Sequence, residues 1–189
     1  MSLFRNRLVR VLLVLSGLGV GAVLSWAALD TAFHATGDYA FCTGCHAYAP
    51  IAAAYREDLH GGNNPAGIRA ACNDCHLPHD NSLHYFMVKA RHGVVDPLMA
   101  VIKEPHEIDW HAIRERREEF VYDSACLNCH KSLEAATEGN IQAFLPHRAY
   151  FRGFTEERCV SCHEHVGHNR LGYHLEKSGW KQPEEGSHP

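Results

Sequence analysis

Apolar residues are distributed unevenly along this 189-residue chain. The longest apolar run is residues 11–29, where nineteen consecutive residues carry no charge. That length predicts one helix that crosses a bilayer. Beyond it, apolar positions recur at helical spacing over residues 82–99 and 105–120, and no stretch alternates for long enough to predict a strand. The pattern predicts an all-α, loop-rich domain behind one N-terminal transmembrane helix.

The charges that flank the apolar run predict its orientation. Arg5, Arg7 and Arg10 precede it and place the N-terminus in the cytoplasm, with Trp26 near the opposite interface. A cleaved signal peptide, with its site at residues 25–27, is the alternative. The run exceeds the usual signal core of about 7–15 residues, which favours a retained anchor over residues 1–29, and either interpretation exports the remaining chain.

Small residues recur every fourth position on one face of this predicted helix, at Gly17, Gly21 and Ser25. Such a pattern permits close packing against another transmembrane helix. A helix partner or a homo-oligomer is therefore a hypothesis for this face.

The rest of the chain has the length of one domain, predicted over residues 30–175, with a polar tail over residues 176–189. The formal net charge of −4 argues against nucleic acid as a partner. The mixed-charge run 114–119 is typical of a solvated helix face.

All eight cysteines belong to four copies of Cys-x-x-Cys-His. The two thiols of one motif can form thioethers to a porphyrin, and the adjoining histidine can ligate its iron. Zinc sites and disulfides are alternatives, but neither requires a histidine after every pair. The motifs therefore predict four covalently attached heme c groups, bound at Cys42, Cys45 and His46; Cys72, Cys75 and His76; Cys126, Cys129 and His130; and Cys159, Cys162 and His163.

The spacing of the motifs predicts how the hemes are grouped. Their first cysteines are separated by 30, 54 and 33 residues, which suggests two heme pairs joined by a longer insertion. Because porphyrins would supply much of the buried apolar surface, we expect the heme-free chain to lack a compact core.

Twelve of the sixteen histidines lie outside the motifs. Electron-transfer hemes often take a second axial histidine, so up to four of the twelve could serve. Among them, His60 and His79 flank the second motif, and His147 and His168 flank the fourth. For any single one of these, a surface role remains the alternative.

The chain resembles the NapC/NirT/NrfH family of membrane-anchored tetraheme cytochromes. The most specific segment is GIRAACNDCHLPHD, residues 67–80, which is similar to the family's GVRATC-x-DCH-x-P sequence. The resemblance implies oxidation of membrane quinol, menaquinol or ubiquinol, and electron transfer through the four hemes to a periplasmic multiheme or molybdenum reductase. It also implies a single-pass protein of the bacterial cytoplasmic membrane with its heme domain in the periplasm.

The same resemblance implies site residues. His60, His79, His147 and His168 occupy positions similar to those of distal heme ligands in NapC-type members. Lys89 and Asp96, seven residues apart, are similar to the family's quinol site. A surface lysine and a helix-ending aspartate before Pro97 are the alternative for this pair.

One position departs from the family pattern. Many members carry a ligating methionine two residues after the first motif histidine, where this chain has Tyr48. His46 is then the default ligand, with Met87 or Met99 as weaker candidates for the other side. The axial ligands of the first heme stay open.

Three other functions remain. The protein could carry electrons from a periplasmic dehydrogenase, such as a hydroxylamine-oxidising enzyme, to quinone. It could be a heme-bridging anchor subunit without a quinol site. Direct catalysis at an open heme is disfavoured, because four candidate distal histidines leave no obvious vacancy except at the first heme.

Overall fold

The N-terminal helix dominates the computed structural model, which describes residues 2–45 and 48–179. Helix α1 runs over Ser2–Ala35, six residues beyond the predicted end of the anchor. Within it, Asn6–Ala35 is long and apolar enough to cross a membrane, and none of that stretch is buried in the protein. No atom lies within 4 Å of an added side chain at Gly17 or Gly21, so a helix partner there stays a prediction.

The remaining described chain consists of short helices joined by loops, with one isolated β-bridge between Gly61 and Arg69. The predicted all-α, loop-rich class is confirmed. The further helices are α2 (Tyr39–Cys42), α3 (Ala49–Glu57), α4 (Asn73–His76), α5 (Ser82–Ile102), α6 (Trp110–Glu115), α7 (Asp123–Cys129), α8 (Leu133–Thr137), α9 (Ile141–Phe151), α10 (Cys159–Cys162) and α11 (Leu171–Lys177).

The two helices predicted within the domain have different outcomes. The first is confirmed as α5, which begins at Ser82 behind an Asn81 cap, continues through Pro97 and ends at Ile102. The second, over residues 105–120, was wrong as one helix: α6 is flanked by separate 3₁₀ turns at Pro105–Glu107 and Arg117–Glu119. Asp109 caps α6 through its carboxylate, which starts a new helix inside the predicted one.

The side-chain core is small. Helix α3 packs against α11, and the buried cluster there contains Ala54, Trp110, Leu171 and Leu175. Helix α11 extends through Lys177, past the predicted start of the tail, and residues 180–189 lie outside the described chain. So few buried side chains leave most of the domain's interior to be filled by something other than the polypeptide.

Candidate heme-binding site

Successive cysteine motifs are neighbours in space. The neighbouring Cys72 thiol lowers the pKa of Cys42 to about 7, and the neighbouring Cys159 thiol lowers that of Cys126 to about 7, so each pair of thiols lies close together. Helix α4, which carries the second motif, packs against α7, which carries the third. The motifs therefore follow one another in space in the order of the sequence.

Three motif histidines each face a histidine from another part of the chain. Their ring centroids are 6.1 Å apart for His76 and His168, 6.2 Å for His130 and His60, and 6.1 Å for His163 and His147. Two imidazoles on opposite sides of one iron have centroids about 6 Å apart, because each metal–nitrogen bond is about 2 Å and each nitrogen lies about 1 Å from its centroid. Each pair has the spacing of two axial ligands.

Hydrogen bonds orient two of these rings. His76 Nδ1 is 2.9 Å from the Phe120 carbonyl oxygen, to which it can donate, and His60 Nδ1 is 3.1 Å from an Asp58 carboxylate oxygen. Such bonds hold the ring and leave the other nitrogen free for a metal. Burial, and next the neighbouring His76, lower the pKa of His168 to about 4, which favours its neutral form.

The turn that presents His60 requires glycine. A Cβ at Gly61 would lie 1.8 Å from the Tyr55 carbonyl oxygen, which no side chain tolerates. Gly62 follows with φ +97°, a conformation that glycine adopts without strain. The glycine pair thus allows His60 to project from a tight turn.

His79 is not part of the three pairs. Its ring packs edge-on against Tyr85, and its Nε2 lies 3.4 Å from the Asn73 carbonyl oxygen. His46 lies outside the described residues, so its predicted ligand role and any relation to His79 stay predictions.

Charged side chains fix the third and fourth motifs to each other. Asp123 accepts hydrogen bonds from the Cys159 amide at 3.1 Å and the Tyr150 hydroxyl at 2.8 Å. Arg158 donates to the carbonyl oxygens of Glu118 and Val121. The start of the fourth motif is thereby tied to the segment before the third.

The run 114–119, predicted to be a solvated helix face, also takes part in this network. Arg117 donates to the Val160 carbonyl oxygen at 2.7 Å and forms an ion pair with Glu164 at 3.0 Å. Glu118 accepts from the Ser161 hydroxyl at 2.5 Å. The prediction was wrong for Arg117, which is only 27% exposed and contacts α10, whereas Glu118 stays exposed while it accepts this bond.

Lys89 is a buried cation on α5. Its side chain is 9% exposed, its Nζ has no hydrogen-bond partner among the described residues, and burial lowers its pKa. The Nζ lies 5.1 Å from the centroid of the Phe33 ring, which belongs to the end of α1. A positive charge is thus held where the membrane helix meets the domain.

Asn73 and Lys89 meet at Gly37. A Cβ at Gly37 would lie 2.5 Å from Asn73 Nδ2 and 3.1 Å from Lys89 Nζ. The Asn73 amide donates to the Tyr85 hydroxyl at 3.0 Å, while its Oδ1 is buried without a partner in the described chain. The side chains that carry an unpaired donor, Lys89 Nζ, and an unpaired acceptor, Asn73 Oδ1, therefore both lie beside Gly37.

Asp96 lies on the same helix as Lys89 but has another partner. Its carboxylate is 3.0 Å from His92 Nδ1, and it is 47% exposed. Asp96 also raises the pKa of Tyr48, after the larger effect of burial, to about 12. Tyr48, at the position where the sequence resemblance expects a methionine, therefore lies in the electrostatic field of Asp96.

The chain matches known proteins over most of its length. The model of the NapC/NirT cytochrome c family, N-terminal region, matches residues 4–173. The chain belongs to the NapC/NirT cytochrome c family. The cytochrome c-type protein NapC of Escherichia coli K12 is 27% identical over 158 residues, which cover 79% of this chain and 77% of that protein. The denitrification system component NirT of Stutzerimonas stutzeri is 26% identical with the same coverage.

A solved structure is similar as well. It is the crystal structure of the cytochrome c nitrite reductase NrfHA complex bound to the HQNO inhibitor, with a TM-score of 0.51 and 26% identity. The match covers 82% of this chain and 90% of the matched chain. The resemblance from the sequence is confirmed, and this NapC/NirT cytochrome is a membrane-anchored multiheme cytochrome c of electron transport.

Membership of the family implies covalently attached heme c, and the residues present fit that group. The three histidine pairs have the required spacing. In one of them, His147 Nδ1 is also buried without a partner in the described chain. An open cleft of about 580 Å³ lies between the His60 turn and the fourth motif, within the volume range of cofactor sites. Among the described residues no group of three or more His, Cys, Asp or Glu could hold a bare metal ion, whereas structural zinc takes four ligands.

Sequence reasoning did not single out Asn73, and it assigned His92 no role. Asn73 is one of the two variable residues between the cysteines of the second motif, so the motif gave no reason to select it. His92 and Asp96 are four residues apart on a predicted helix, a spacing that could have indicated their contact.

Proposed function

We propose that this cytochrome oxidises membrane quinol, menaquinol or ubiquinol, and delivers the electrons to a periplasmic reductase. Lys89 carries the proposal. It is a buried cation without a hydrogen-bond partner in the described chain, set between Phe33 of the membrane helix and the first cysteine motif. A lipid-soluble quinol could reach this position from the bilayer, and an anionic ligand would pair the charge.

Quinol oxidation releases two protons together with two electrons. The Lys89 ammonium would stabilise negative charge that develops on the quinol oxygen. The unpaired Asn73 Oδ1 would accept a hydrogen bond from a quinol hydroxyl, and Asp96 would accept a proton. Because Asp96 and its partner His92 are both partly exposed, the proton could then pass to water.

The four cysteine motifs would hold four heme c groups, which supply one-electron redox chemistry. Three of these hemes would be held by pairs of histidines, namely His76 with His168, His130 with His60, and His163 with His147. His46 remains the proposed ligand at the first motif, and the role of His79 as a distal ligand stays a proposal without a paired motif histidine.

We propose the electron-accepting partner from the relatives, and the orientation in the membrane from the charges of α1. The NrfHA structure is that of a cytochrome c nitrite reductase complex, which supports a multiheme reductase as partner, and a molybdenum reductase is the other partner that the sequence resemblance implies. Arg7 and Arg10 at the start of α1 support a cytoplasmic N-terminus and a periplasmic heme domain in a bacterial cytoplasmic membrane.

The test is reduction of the purified holoprotein in nanodiscs by a menaquinol analogue, followed by heme absorbance, with and without HQNO. We expect inhibitor-sensitive reduction that falls about 10²-fold in Lys89→Gln, the scale for loss of one charge-stabilising donor. Lys103→Gln is the matched control, because Lys103 is an exposed lysine at the end of the same helix.

Dithionite must reduce all variants equally, which separates quinol oxidation from heme loading. Wild-type rates in Lys89→Gln would overturn the proposed site. Reduction by dithionite but not by quinol in the wild type would overturn quinol oxidation itself.

A further inference from the structure

Helix α5 turns an apolar face away from the protein. The inward side of α5 carries Lys89, which is buried. The opposite side carries large apolar residues at helical spacing that are 53–86% exposed, namely Leu83, Met87, Val94, Leu98 and Val101. Monomeric proteins in water seldom leave an apolar surface of this extent uncovered.

The charges of α5 are segregated. Asp96 lies toward the inward side with Lys89, because seven residues make nearly two helical turns. On the outward face, between Met87 and Val94, the charged residue is Arg91. A cation with a long apolar stem beside exposed apolar residues suits a phospholipid surface, where the guanidinium reaches phosphate groups.

The position of α5 relative to α1 places it at the membrane surface. The rings of Phe86 on α5 and Phe33 on α1 stack with centroids 5.4 Å apart. Phe33 is four residues beyond Leu29, the last residue of the uncharged run. Four residues correspond to about 6 Å along the helix axis. Helix α5 therefore contacts α1 at the depth where α1 leaves the hydrocarbon core.

We propose that the outward face of α5 is seated in the phospholipid bilayer and forms a second membrane contact beside the anchor. Lys89, Arg91 and Asp96 prevent α5 from spanning a membrane, and within the described chain only α1 meets the requirements of a spanning helix. An amphipathic helix of this kind lies in the interface with its apolar side among the acyl chains. The proposal is independent of quinol oxidation, since it depends on exposure and position alone.

The test is photolabelling of the full-length holoprotein in nanodiscs that contain a phospholipid with a diazirine in its acyl chain. We expect label on α1 and on the outward residues of α5. We expect none at Ile141 and Leu145 of α9, which are 62% and 56% exposed and serve as internal controls.

A double variant, Val94→Glu with Leu98→Glu, should lose the α5 label while α1 stays labelled. The matched variant, Ile141→Glu with Leu145→Glu, should leave the α5 label unchanged. An unlabelled α5 next to a labelled α1 in the wild type would overturn the proposal, and native mass spectrometry of the nanodiscs would then show whether a second copy covers the face. Heme absorbance confirms that each variant is folded.

Discussion

The region around the first two motifs and the region around the last two differ in how their polar side chains are satisfied. Around the last two, Asp123, Arg117 and Arg158 all have partners within the described chain. Around the first two, Lys89 Nζ and Asn73 Oδ1 are buried without partners there. The apolar face of α5 is also uncovered on this side.

This difference distinguishes polar groups that stabilise the fold from polar groups that are available to a ligand. A buried polar group without a partner costs roughly 1–3 kcal/mol, so an arrangement of this kind is retained where a ligand completes it. At the last two motifs the charged side chains Asp123, Arg117 and Arg158 find their partners within the described chain and hold the spacing of the motifs. The region next to the membrane helix is incomplete in the way expected of a binding site.

Removing heme should have the largest effect, because both regions depend on it. The side-chain cluster around Ala54 and Leu175 is too small to hold the domain alone. We expect the heme-free full-length chain in detergent to lose protease resistance throughout residues 36–179 while α1 stays helical. Equal protease resistance of heme-free and heme-bound protein would contradict this.

The network at the last two motifs should contribute to stability rather than to quinol oxidation. Arg158→Met removes charged hydrogen bonds to Glu118 and Val121 and should lower the free energy of unfolding by about 2 kcal/mol. Arg152→Met is the control, since Arg152 is 60% exposed and lies 4.0 Å from Glu134. Denaturant unfolding measures both.

The rate of the first heme reduction by quinol should be the same in Arg158→Met and the wild type. A loss of that rate as large as in Lys89→Gln would remove the distinction between the two regions.

The pH dependence of quinol oxidation should report on Lys89. Burial lowers its pKa from the ordinary value of 10.5, so the amine loses its charge at a lower pH than an exposed lysine. The rate should therefore fall as the pH rises through the lowered value. Lys89→Arg keeps its charge at every accessible pH and should move the decline to higher pH. An identical alkaline decline in both proteins would show that another group is responsible.

Gly37→Ala should have a smaller effect than heme removal, Arg158→Met or the change of pH. Alanine there would crowd Asn73 Nδ2 and Lys89 Nζ, and should raise the KM for the menaquinol analogue by roughly fivefold, equivalent to about 1 kcal/mol. Gly139→Ala is the control, because its Cβ would meet no atom within 4 Å. An unchanged KM in Gly37→Ala would place the quinol elsewhere.

Local patterns were predicted better than long-range ones. Helix α5 was predicted from its period, and the anchor from its apolar run. The break at Asp109 was missed, because a residue inside an apolar period can also cap a new helix. The contacts of Arg117 and Glu118 with α10 could not be predicted, since their partners are more than forty residues away in sequence.

The sequence by itself determined the membrane helix, the covalent heme chemistry and the family, because each depends on residues that are close together in the chain. Only the tertiary structure decided which histidine faces which, since the ring of His60 faces that of His130, a residue of the third motif. It alone also showed that Lys89 Nζ and Asn73 Oδ1 have no hydrogen-bond partner in the described chain and that the outward face of α5 is exposed. Those properties depend on what surrounds a side chain, and the surroundings come from distant parts of the chain.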